Sequence, residues 1–97
     1  MEKMSYRIGS LELRTCDDHL VVSGSNEHTT AEIVMWETCQ VRGRPYCFTV
    51  AYFIKRSDDG FDLKTIGDRP IRLCNPVEFF KLAKAGFEHL EKELGEN

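Results

Sequence analysis

Apolar and polar residues alternate in the first part of this chain, and apolar residues recur at helical spacing in the last. Tyr6-Arg-Ile-Gly9 and Leu11-Glu-Leu-Arg-Thr15 carry the period of two expected of half-buried strands. Asp17-Asp18 predicts a turn, with Leu20-Val-Val-Ser23 returning as a partner strand. Residues 24–30, rich in Ser, Asn and Thr, predict the least regular structure. The strand signal is strongest over 31–66. Ala31-Glu-Ile-Val-Met-Trp-Glu-Thr-Cys39 leads into a turn centred on Arg42-Gly-Arg-Pro45, and Cys47-Phe-Thr-Val-Ala-Tyr-Phe-Ile54 follows. A second turn, Ser57-Asp-Asp-Gly60, precedes Phe61-Asp-Leu-Lys-Thr-Ile66, which closes a meander with 47–54 in the middle of the sheet.

A short loop at 42–44 would set Cys39 opposite Cys47, Trp36 opposite Val50, Val34 opposite Tyr52 and Ile33 opposite Phe53. Trp36, Val34, Val50, Tyr52 and Ile54 then share one face, and Ile33, Met35, Ala51 and Phe53 the other. Both faces read as apolar, whereas a sheet open to water on one side shows a polar face there. The last segment predicts a helix: Asn75 as cap, Pro76 in the first turn, Glu78 completing Asn-x-x-Glu, and Gly95 at the end. Phe79, Phe80, Ala83, Phe87, Leu90 and Leu94 form its expected apolar stripe. Gly86 inside that helix costs about 1 kcal/mol against Ala, which points to close contact with the sheet. One helix covers one face only. The other is then expected to be covered by an N-terminal hairpin over 11–22 or by a second copy, a homodimer with Tyr52 or Phe53 in the contact.

The expected fold is therefore α+β, a single domain over 1–97: a mainly antiparallel sheet of about five strands with one C-terminal helix packed on it. At 41% apolar and 30% charged residues the composition is that of a globular domain. The formal charge of −3 argues against a general grip on nucleic acid. No apolar run is long enough to span a bilayer, and 1–7 show no secretory leader, so the cytoplasm is the expected location. In that setting the four cysteines are expected as free thiols.

No nucleotide-binding glycine pattern, nucleophile elbow or zinc-protease motif is present, and no enzyme or cofactor is expected. Asp58-Asp59-Gly60-Phe61-Asp62 has the wrong carboxylate spacing for a calcium loop. Cys16-Asp-Asp-His19 has the spacing of half a zinc site, and Cys39, Cys47, Cys74 and His28 are further conceivable ligands. Buried thiols and a turn histidine explain these residues more simply, and no metal is expected. Cys16 with His19 lacks the oxyanion-donating loop a catalytic pair needs. The residues that point to a function are Arg42, Arg44 and Tyr46. Two guanidiniums at a hairpin tip beside an aromatic can clamp carboxylates of a protein or grip phosphates, and the acidic balance favours the protein. Arg69 and Arg72, around Pro70, would widen that patch if they lie on the same side.

Over 36–90 the chain resembles small phage-encoded accessory proteins of unknown role. The resemblance rests on Tyr46-Cys-Phe-Thr-Val-Ala-Tyr-Phe53, Asp59-Gly-Phe-Asp-Leu63, Gly67-Asp-Arg-Pro70 and the helix containing Phe79 and Phe80-Lys-Leu-Ala-Lys84. It implies no catalytic residue. What it implies is a setting, the infected bacterial cytoplasm, and a mode of action: a non-enzymatic module that occupies the surface of a host enzyme or defence complex. The alternatives are a nucleic-acid-binding accessory protein using the same tip and a small zinc-binding regulator.

Overall fold

The computed structural model describes residues 4–20 and 27–95. Five strands run in chain order across one antiparallel sheet: β1 (Ser5–Ile8), β2 (Leu11–Leu20), β3 (His28–Thr38), β4 (Pro45–Lys55) and β5 (Phe61–Thr65). Two helices follow, α1 (Arg69–Leu73) and α2 (Pro76–Gly95). The α+β class and the C-terminal helix are as the sequence predicts, and the short α1 is an addition to it. β3, rather than β4, lies at the centre. No helix among the described residues is long and apolar enough to cross a membrane.

Local chemistry sets the turns. Gly9, at φ 59°, takes the left-handed backbone needed by the two-residue connection that leaves Ile8 opposite Leu11. Asp59 takes a similar conformation at φ 67°, in a turn where Asp58 accepts from the Gly60 N–H and from Arg56. The Asp17-Asp18 turn does not form. Both residues lie within β2, whose pairing with β3 shifts register between Thr15 and His19 and resumes as His19↔Thr29 and Leu20↔His28. Leu20 thus ends β2 instead of opening a new strand, and 21–26 lie outside the described residues. β2 is an integral strand, so the described part of the 11–22 segment is not a second layer over the sheet. β3 begins at His28, inside the stretch expected to be least regular.

The β3–β4 register also differs from expectation. Trp36 faces Cys47 and Val34 faces Thr49, then Ile33 faces Ala51 and Ala31 faces Phe53. The loop between the strands is longer than a 42–44 turn, and Val50 and Thr30 are extra residues at two bulges. Cys39 and Cys47 are therefore not opposite each other. Val50 leaves the Trp36 face and joins the core, while Ile33, Met35, Ala51 and Phe53 do share a face. At the second bulge the buried Thr29 hydroxyl lies 2.6 Å from the carbonyl oxygens of both Ala31 and Phe53.

α2 packs on the face that carries Leu11, Leu13, Ile33, Ala51 and Phe53. Asn75 Oδ1 accepts from the Val77 and Glu78 N–H groups at 2.9 and 3.2 Å, capping the helix as the sequence predicts. The buried stripe is Phe79, Leu82, Ala83, Gly86 and Leu90, with Phe87 half-buried against it. Phe80 does not belong to it: its side chain is 67% exposed. The Leu94 side chain lies outside the described residues. At Gly86 a Cβ would stand 2.3 Å from Phe53 Cζ, so the helix approaches the sheet only because that side chain is missing.

Candidate functional site at the β3–β4 hairpin

Pairing ends at Thr38↔Pro45, and the loop between closes on itself. The Cys39 N–H donates to Arg44 O at 2.8 Å, and the Gly43 N–H donates to Cys39 O at 2.7 Å. Gly43 sits at φ 65° with nothing within 4 Å of the place a Cβ would occupy; glycine is there for backbone conformation, not for packing. This closure sends Val41 into solvent, 93% exposed, between the loop's polar groups. Arg42 and Arg44 are exposed, and neither guanidinium forms an ion pair among the described residues. Their donors are open to a partner.

Tyr46, next to Pro45, donates its hydroxyl to Glu37 Oε2 at 2.5 Å across the hairpin. That bond, together with partial desolvation and the charges of Glu37 and Cys39, pushes the phenol above its ordinary pKa, so it remains a neutral donor. Its ring lies 6.3 Å from that of Phe48, and the Arg69 guanidinium lies 5.4 Å from the Phe48 centroid. Arg69 also donates to Thr49 O at 3.0 Å. The side of Arg69, open from sequence, is thereby fixed: contacts run from Tyr46 through Phe48 and Arg69 to α1, where Arg72 lies exposed 3.6 Å from Asp68.

The two expected dimer-contact residues fall on opposite faces. Phe53 lies beneath α2, 1% exposed, with its ring edge-on to Phe87 at 5.1 Å. It is inaccessible to a second copy. Tyr52 lies on the open face but is also buried, donating its hydroxyl to Glu27 at 2.9 Å. The open face is mixed: Val34, Trp36, Tyr52 and Ile54 share it, as expected, with Val34 and Tyr52 buried, but charged side chains of β2 and β3 stand among them. Arg14 binds Glu32 through Nε and Nη2 at 2.9 and 2.8 Å, and Thr49 donates to the other oxygen of Glu32 at 3.1 Å. Trp36 donates to Glu12 at 2.8 Å, with the Arg7 guanidinium 5.5 Å from its ring. Sequence reasoning missed this network, although Glu12, Arg14 and Glu32 stand at alternate strand positions and signal charge on this face.

Cys16 and His19 lie along one strand instead of across a turn. All four cysteines are free and half-buried, and no group of metal-ligating side chains occurs among the described residues. Burial, and then the charge of Glu78, pushes the Cys74 thiol up. Comparison with protein-family models, curated proteins and solved structures finds no match.

Proposed function

We propose that this chain is a non-enzymatic protein-binding module that seizes carboxylates of its partner with Arg42 and Arg44. One observation carries the reading: two guanidiniums without partners among the described residues stand in a loop whose apolar residue, Val41, is held out in water. Bidentate arginine–carboxylate bonds supply direction, and burial of Val41 would add the apolar contact that excludes water from them. Tyr46, held as a donor by Glu37, forms the edge of that contact. The resemblance to phage-encoded accessory proteins supplies the biological use: inhibition of a bacterial host enzyme or defence complex by covering its surface, in the host cytoplasm.

Affinity capture from bacterial lysate tests this with the wild type and an Arg42→Glu/Arg44→Glu variant side by side, with and without nuclease. The expected result is a stoichiometric protein partner that survives nuclease and is lost with the double variant, while the variant's thermal midpoint is unchanged. Equal capture by both proteins makes the tip a solvated turn. Loss of capture on nuclease treatment moves the tip to nucleic acid, against the weight of the −3 charge.

A further inference from the structure

A second surface lies where α1 meets the start of α2. Pro70, Ile71, Pro76, Phe79 and Phe80, with Thr65 of β5, line an apolar cleft of about 400 Å³. Ile71 is 90% and Phe80 67% exposed, and Val77 is exposed one helical turn before Lys81. Phe80 is not loosely placed: its ring packs against that of the buried Phe79 at 5.9 Å and 64°. Large apolar side chains gathered in one place, outside the core, mark an interaction site more often than chance exposure.

The charges around the cleft say what fits it. Arg72 lies beside Ile71, and among the described residues its ion pair is with Asp68 at 3.6 Å. Lys81 follows Phe80, is exposed, and has no ion pair among the described residues. Lys84, one turn further along the same side of α2, meets Glu88 only at 3.9 Å. A two-fold pairing of the clefts would gather the Arg72 and Lys81 cations of both copies into one interface. An acidic segment would neutralise them. We propose that this cleft docks an acidic peptide segment of a partner protein, with one bulky apolar side chain of that segment inserted between Ile71 and Phe80 and its carboxylates on Arg72 and Lys81. The surface is separate from Arg42 and Arg44, and the inference stands without the reading of the hairpin tip.

The test uses the whole chain and a displayed library of random peptides about twelve residues long. Peptides are selected on the wild type, and the best is made synthetically for titration by fluorescence anisotropy. Selected peptides are expected to share an aromatic or large aliphatic residue flanked by Asp or Glu. Phe80→Ser should weaken the synthetic peptide by about tenfold or more, as loss of a buried anchor does. Lys81→Glu should weaken it and shift selection away from acidic sequences, while Arg42→Glu/Arg44→Glu leaves binding unchanged. Phe80 and Lys81 are exposed, so circular dichroism of both variants should match the wild type. Failure to select any peptide, selection without acidic residues, or binding indifferent to Phe80→Ser would overturn the proposal. So would a wild-type dimer that Phe80→Ser dissociates, which would give the cleft to a second copy. Loss of the peptide in the tip variant alone would assign it to the hairpin instead.

Discussion

Gly86 sets two demands of one residue against each other. Alanine would gain about 1 kcal/mol of helix propensity, yet its Cβ would stand 2.3 Å from Phe53 Cζ. Phe53 has little room to retreat, since its ring is fully buried and edge-on to Phe87. Overpacking a core in this way typically costs about 1–3 kcal/mol. Gly86→Ala should therefore be destabilising on balance, read as a lower urea midpoint with an unchanged slope. Phe53→Leu in the same chain should recover part of the loss, and a neutral Gly86→Ala would mean that the helix slides freely over the sheet. The cysteines offer a second check at this scale. Titration in denaturant without reductant should find all four as thiols. Under native conditions at mildly alkaline pH the raised Cys74 should react more slowly than it does unfolded, because only the thiolate attacks. A single-cysteine chain retaining Cys74 isolates that rate.

Helix α2 depends on its cap in a way that the sequence states locally. Asn75→Ala removes the acceptor for two N–H groups and should cost about 1 kcal/mol, because Asn75 Oδ1 is their only side-chain partner among the described residues. Asn75→Asp should keep the thermal midpoint near that of the wild type, and equal loss in both would mean the cap contributes nothing. The cap was legible because its chemistry lies within four residues. The bulges at Thr30 and Val50 were not: nothing in the run 47–54 distinguishes the extra residue from its neighbours, since the choice is made by pairing with a distant strand. The Cys39–Cys47 pairing failed at the turn itself, where the loop spans 39–44, while the Val50 bulge shifts the pairs beyond it by one place and so returns Ala51 and Phe53 to the face of Ile33 and Met35. Asp17-Asp18 failed for the converse reason, a local turn preference overridden by β2–β3 pairing. Phe80 stands about 100° round the helix from Phe79, outside the arc that Leu82, Ala83, Gly86 and Leu90 complete about it. The series Phe79, Leu82, Ala83, Gly86 and Leu90 is the consistent one, and it leaves Phe80 for the cleft. Arg42, Gly43 and Arg44 were legible as a tip from turn chemistry. Their link through Phe48 and Arg69 to α1 was not, being wholly tertiary.

At the scale of the molecule, the sheet has one greasy face under α2 and one face tied together by charge. The second needs no apolar cover, which removes the argument for a homodimer built on it. Light scattering across the micromolar range should accordingly find a monomer, and a dimer disrupted by substitutions on the open face would restore that argument. The same network makes stability depend on acid. Burial pushes the Glu12 carboxyl up, but hydrogen bonds from Ser5 and Trp36 and the charges of Arg14 and Arg7 outweigh it and hold the group below the usual glutamate value. A carboxyl depressed on folding contributes stability that is fully present above its unfolded pKa, roughly 4.3, and is lost as pH falls through its lower folded value. Glu12→Gln keeps the shape and removes the charge. Its stability deficit against the wild type should therefore be largest from about pH 5.5 to 7 and shrink steadily below about pH 4.5, when urea midpoints are compared at each pH. Exposed carboxylates elsewhere titrate in both proteins and cancel in that difference. A deficit that stays constant down to pH 3 would mean that Glu12 acts only through its neutral hydrogen bonds, and that the charges of Arg7 and Arg14 do not join β1, β2 and β3 across the open face.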